Sequence, residues 1–164
     1  MGRVTALWEM LTIAELTARH ARPGRVEWIG LRTARRGVVE AVAQAQIGVG
    51  GLAGDHRAKP GVRAVSLIQF EHLPVIEALC DGAPTWELLR RNVAVSGLNL
   101  AGLKDRPFRL GTALLHGRGV CAPCSRMEEY LGHGGYAAVR GHGGIVAEVL
   151  EAGAVALGDE VVPV

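Results

Sequence analysis

Phe108-Arg109-Leu110-Gly111-Thr112-Ala113-Leu114-Leu115-His116 reads as two short apolar strands, Phe108 to Leu110 and Thr112 to His116, hinged at a glycine. Each run is too short for a helix, and Gly111 supplies the break that a tight connection needs. Upstream, Val93 to Ser96 is a strand ending in the turn Gly97 to Gly102, and Thr85 to Arg90 makes one or two helical turns before it. Asp81-Gly82-Ala83-Pro84 ends a helix spanning Glu71 to Cys80, and Arg63 to Ile68 reads as a buried strand. Val26 to Leu31 and Gly37 to Val42 form a hairpin across the basic turn Arg32 to Arg36. Thr12-Ile13-Ala14-Glu15 has the form of a capping box, and Arg22-Pro23-Gly24 stops the helix it opens. Downstream lie a short helix, Ser125 to Leu131, and strands at Gly143 to Leu150 and Asp159 to Val164. Short strands at this spacing, interrupted by helices, predict a mainly β protein: a closed or half-closed β-barrel with a few peripheral short helices.

The chain has 164 residues, 49% hydrophobic and 21% charged, which suits one soluble domain over 1–164. Aromatics are 4%, so the core is aliphatic, and Trp8, Trp28 and Trp86 are assigned to core or hairpin packing. A net charge of +2 and the lack of an aromatic stacking platform argue against a nucleic-acid partner. Only Lys59 and Lys104 are lysines among 18 basic residues; the others are Arg, suited to bidentate grip on phosphate, although a GC-rich coding bias gives the same excess. The early apolar run Val4 to Ala14 is broken by Glu9, so it does not make a secretory signal, and no stretch is long enough to span a bilayer. Three cysteines are read as reduced thiols. The expectation is a cytoplasmic protein without a membrane partner.

Cys121-Ala122-Pro123-Cys124 is a C-x-x-C whose spacing permits a redox pair, half a metal site, or one reactive thiolate with a neighbour. A thioredoxin-like pair lacks its βαβ context, and a structural zinc finds only His133 and His142 as further ligands. Arg118 and Arg126 flank the pair, and cations there favour the thiolate. The glycine-dense loop Gly48 to His56 precedes a strand, with no helix following to hold a pyrophosphate, so no flavin or nicotinamide site is expected.

The ordered series Gly51-Leu52-Ala53-Gly54-Asp55-His56, Arg63-Ala64-Val65-Ser66-Leu67-Ile68, Arg90-Arg91-Asn92-Val93-Ala94-Val95-Ser96-Gly97, Cys121-Ala122-Pro123-Cys124, Gly141-His142-Gly143-Gly144-Ile145 and Gly158-Asp159 resembles the MOSC domain, named for the C-terminal domain of molybdenum-cofactor sulfurases. The resemblance covers about 26–164, with 1–25 as an N-terminal helical extension. It implies a β-barrel and one cysteine carrying either a sulfane sulfur or the molybdenum of the pterin cofactor. The matching position is Cys124, as catalytic thiolate and metal ligand, with Cys121 an additional thiol.

Arg63, Arg90, Arg91 and Arg126 are candidates for gripping the cofactor's phosphate, with Gly54, Asp55, His56, Asn92 and His142 as further cofactor contacts. The bland alternatives are that Arg90 and Arg91 complement a helix dipole, that Asp55 caps a turn, and that Asp159 is structural. Three functions follow. The first is reduction of N-hydroxylated small molecules on a molybdenum cofactor, with electrons from a separate donor protein. The second is a sulfur carrier that takes a persulfide from a cysteine desulfurase, with Cys121 resolving it. The third is a non-catalytic cofactor-binding module.

Overall fold

A computed structural model describes residues 5–164. The first four residues of the N-terminal extension, Val4 of the early apolar run among them, lie outside the described residues. Seven strands close on themselves: β1 (Gly24–Arg32), β5 (Val65–Gln69), β6 (Val93–Ser96), β7 (Pro107–Leu110), β8 (Ala113–Val120), β9 (Ile145–Glu151) and β11 (Glu160–Pro163). Around the barrel the order is β11-β7-β8-β9-β5-β6-β1, and β1 pairs back to β11 through Gly24 and Val161. All neighbours are antiparallel except β5 and β6, which run parallel and are joined through helices, as a crossover between parallel strands requires. The fold is therefore the closed, mainly β barrel that the strand spacing predicts.

The hinge at Gly111 behaves as read. β7 and β8 pair antiparallel with Leu110 opposite Ala113, and the turn glycine has φ 56°. Phe108, Leu110, Ala113 and Leu115 all point inward and are fully buried. They join Val26, Ile29, Leu67, Val93, Val95 and Val161 in one aliphatic core. A second apolar layer, with Ile76, Leu89, Met127, Leu131 and Val139, packs the helices against the outer faces of Ile68 and Ala94. Those helices are α2 (Leu73–Leu79), α3 (Trp86–Leu89), α4 (Arg126–Leu131) and α5 (Gly135–Val139).

The predicted hairpin is present as β1 paired with β2 (Val39–Ala41). The capping box is complete: Thr12 accepts from the Glu15 amide and the Glu15 carboxylate accepts from the Thr12 amide, opening α1 (Ile13–Thr17). A small sheet of β3 (Gln44–Gly48), β4 (Gly51–Leu52) and β10 (Gly153–Ala156) was not expected, nor was α5. The helix read as Glu71 to Cys80 is a 3-10 turn at Phe70–His72 followed by α2, because Pro74 suits the first turn of α2 and cannot donate inside a longer helix. Trp28 and Trp86 pack against the outer layer, but Trp8 does not: it sits in a 3-10 turn with no buried residue and is 65% exposed. Among the described residues, no helix is long and apolar enough to cross a membrane.

Candidate functional site

Loops at one end of the barrel surround a cavity of about 570 Å³. Its lining comes from five separate parts of the chain. Arg32 and Arg35 lie at and beyond the end of β1, and His56, Arg57, Lys59 and Arg63 follow β4. Arg90 and Arg91 stand between α3 and β6, Cys121 and Cys124 between β8 and α4, and Arg126 opens α4. Of the described residues lining it, seven are Arg and one is Lys, and none is acidic.

The two thiols differ. Cys124 is exposed, whereas Cys121 is 6% exposed. The loop that carries them is fastened at both ends. The Cys121 amide donates to the Gly144 carbonyl at 2.8 Å, and the Met127 amide donates to the Cys124 carbonyl at 2.9 Å, opening α4. Arg91 fixes the same loop from below. Its Nε donates to the Gly143 carbonyl (2.8 Å), Nη1 to the Leu89 carbonyl (2.9 Å) and Nη2 to the Cys121 carbonyl (3.5 Å). Gly143 permits this closeness, since a Cβ there would lie 2.3 Å from the Cys121 carbonyl oxygen.

A buried polar network sets the opposite wall. Asp55 accepts from Arg32 Nε (3.0 Å) and Nη2 (3.2 Å), from Asn92 Nδ2 (2.7 Å) and from the Arg57 amide (3.0 Å). Asn92, fully buried, accepts through Oδ1 from the Ser66 amide and hydroxyl. Burial alone would raise the Asp55 carboxyl, but the hydrogen bonds and charge of Arg32, with the Arg57 and Arg32 amides, hold it below the ordinary carboxylate value. The pair thus aims the Arg32 guanidinium along the wall. The Nδ1 of His56 lies 2.8 Å from the Arg32 carbonyl; that oxygen only accepts, so Nδ1 carries the proton and Nε2 is left free.

Arg90 has the least ordinary environment. It follows α3 in left-handed backbone (φ 57°, ψ 35°) and is 7% exposed. Nη1 donates to the Gly37 carbonyl, while Nη2 is buried without a hydrogen-bond partner. Burial pushes its guanidinium below the ordinary value; Tyr130 and Cys124 oppose this, and Arg126 and Arg32 add to it. Arg90 therefore lines a cavity crowded with cations while part of its donor capacity is unspent.

The fold thus gathers Cys121, Cys124, His56, Arg63, Arg90, Arg91 and Arg126 around one cavity. It keeps four other candidates off the lining. Gly54 forms a turn at φ 90°, and Asp55 and Asn92 face inward behind the wall. His142 lies edge-on to His72 with ring centroids 4.9 Å apart. Arg118 does not face the thiols as its place in the sequence suggested: it ion-pairs with Glu148 across the β8–β9 ladder at 2.6 Å. Arg32, Arg35, Arg57 and Lys59 join the lining beyond the sequence candidates; the basic run from Arg32 to Arg36 is a signal for the first two, and no such run marks Arg57 or Lys59. No cluster of three or more His, Cys, Asp or Glu side chains suited to a metal occurs among the described residues.

A family model, the MOSC domain, matches residues 53–162, which spans the cavity loops from His56 onward and six strands of the barrel. The chain belongs to the MOSC domain family. Its MOSC fold is similar to the crystal structure of the YuaD protein from Bacillus subtilis, with 25% identity, a TM-score of 0.72, and coverage of 85% of this chain and 94% of that one. YiiM from Escherichia coli has the same fold at 18% identity and a TM-score of 0.63, covering 85% and 69% of the two chains. YiiM from Geobacillus stearothermophilus gives 19% identity and a TM-score of 0.67, over 87% and 75%. No curated protein matches the chain. In this MOSC barrel the thiol loop between β8 and α4 faces the arginine wall across one cavity.

Proposed function

We propose that this MOSC protein binds the molybdenum cofactor with Cys124 as the metal's thiolate ligand and reduces N-hydroxylated small molecules, using electrons from a separate donor protein. The observation that supports it is the buried, unpartnered Nη2 of Arg90 in the wall of a cationic cavity that also holds an exposed thiol. An unmet donor of that kind costs about 1–3 kcal/mol, and a phosphate oxygen satisfies it with a charge-assisted hydrogen bond. The donor set suits the cofactor: a soft thiolate for molybdenum, and guanidinium groups for the pterin's phosphate. When bound, the cofactor supplies the two-electron chemistry.

The overall conversion breaks the N–O bond of an N-hydroxyl compound; two electrons and two protons enter, and the amine and one water leave. The chain's residues have separate parts in it. Arg63, Arg90 and Arg126 hold the anionic end of the cofactor. His56, anchored as a donor through Nδ1, leaves Nε2 at the cavity as an acceptor that orients the O–H of the N-hydroxyl group. Asp55, Asn92 and Arg91 act as positioning residues, the first two through Arg32 and the third through the thiol loop. Gly54 and His142 shape the loops that carry these groups.

A second reading rests on Cys121, which shares the cavity with Cys124. Two thiols opening on one space suit a sulfur carrier, with a persulfide on Cys124 resolved by Cys121. One set of proteins separates the readings: wild type, Cys121→Ala and Cys124→Ala, purified from cells that make the cofactor. Molybdenum and pterin are expected in wild type and Cys121→Ala and to be lost from Cys124→Ala. Their absence from wild type, with a gain of one sulfur on Cys124 after incubation with a cysteine desulfurase, would select the carrier and overturn the reductase.

A further inference from the structure

A second cavity lies against the outer side of the thiol loop. It has a volume of about 560 Å³ and is bounded by Val120, Ala122 and Pro123 on one side and by Ala137, Arg140 and Gly141 on the other. Ala122 belongs to both cavities, so the loop between Cys121 and Cys124 is the partition between them. Val120 is the last residue of β8 and is 64% exposed, an apolar side chain left in water beside the loop. Across from it, none of the ion pairs among the described residues involves Arg140. Gly141, at φ 83°, has open space where a Cβ would stand.

These features have the composition of a small-molecule subsite. Its volume falls in the range of such pockets, roughly 300–1,000 Å³, and its walls are aliphatic with one polar group to orient the ligand. The basic cavity is unsuited to an apolar body, since its lining is cationic. We infer that the second cavity receives the organic body of the substrate, and that Arg140 selects N-hydroxylated compounds that carry a carboxylate or another anion. The apolar walls take the ring or chain, Arg140 pairs with the anion at the rim, and the N-hydroxyl group reaches over Ala122 toward Cys124. This rests on the reductase reading and deepens it by naming a substrate class.

Isothermal titration of the resting protein, without reductant, tests the subsite independently of turnover. The probes are benzamidoxime and para-carboxybenzamidoxime. The carboxylated probe is expected to bind wild type about fivefold more tightly, the scale of an exposed ion pair near 1 kcal/mol. Arg140→Gln is expected to erase that preference, and Ala137→Leu, at an exposed helix position, to weaken both probes by filling the groove. Equal binding of the two probes to wild type, a preference that Arg140→Gln leaves intact, or binding that Ala137→Leu leaves unchanged overturns the proposal. Elemental analysis of the same preparation separates the two readings. Molybdenum without the carboxylate preference sinks the subsite alone, while a preference that depends on Arg140 in metal-free protein sustains the subsite and sinks the cofactor.

Discussion

Arg90 breaks three local rules at once: left-handed backbone for a residue with a Cβ, a guanidinium that is 7% exposed, and a donor nitrogen without an acceptor. Strain of this kind persists where a function needs it. Arg90→Met therefore separates folding from binding. Without ligand, its stability in urea is expected to stay within about 1 kcal/mol of wild type, since a buried unpaired donor leaves with the charge. The stabilisation that inorganic phosphate gives wild type is expected to fall by about 1.5–3 kcal/mol, the worth of a charged hydrogen bond; an unchanged phosphate effect would remove Arg90 from the anion site. At this scale the sequence was informative about residue type and silent about direction. Thiols and arginines were legible because few other side chains do their chemistry. Asp55 and Asn92 also looked like ligand contacts, yet they turn inward to hold Arg32, and no local pattern tells which way a loop carboxylate faces.

Elements with a strong period or a stop signal were legible, and those made of small or polar residues were not. β5 is buried along its whole length, and Val65, Leu67 and Ile68 mark it as a strand although Ser66 and Gln69 are polar. By contrast β3 is Gln-Ala-Gln-Ile-Gly with only Ile47 buried, and β10 is Gly-Ala-Val-Ala; both owe their strand state to each other, through Gly153 opposite Ile47 and Val155 opposite Ala45. α5 hides for a similar reason, since it opens on Gly135 between Gly132, Gly134 and Gly141, and tertiary packing of Ala138 and Val139 sustains it. The glycines around residue 143 have a sharper purpose, because they let β9 begin directly beneath the thiol loop. A Gly143→Ala side chain would lie 2.3 Å from the Cys121 carbonyl oxygen and 3.1 Å from Arg91 Nη2. The expected result is a loss of about 1–3 kcal/mol in thermal unfolding, as for overpacking elsewhere. A lowered molybdenum content is expected with both cysteines intact. Full metal retention in a destabilised variant would show that the clamp supports the fold but does not set the thiol.

Across the whole molecule, the net charge of +2 conceals a strong separation. Eight of the 17 basic residues among those described, Arg3 lying outside them, line the first cavity, which leaves 9 basic against 16 acidic residues elsewhere. The molecule thus has an acidic balance outside one cationic mouth, a distribution that focuses field lines into the cavity. This is why overall charge says little about partners here, and why the arginine excess has a structural reason that composition did not reveal. The consequence is kinetic. A fluorescent pterin monophosphate should associate fast at low salt and slow by about tenfold as the Debye length shrinks from about 30 Å at 0.01 M toward 8 Å at 0.15 M. Dissociation should change much less, because a phosphate held by the buried Arg90 side chain would be poorly screened. Stopped-flow measurements across that range read both rates. A salt effect confined to dissociation would mean that the cations act only on contact; one confined to association means that the fold has gathered its arginines to draw the anion in.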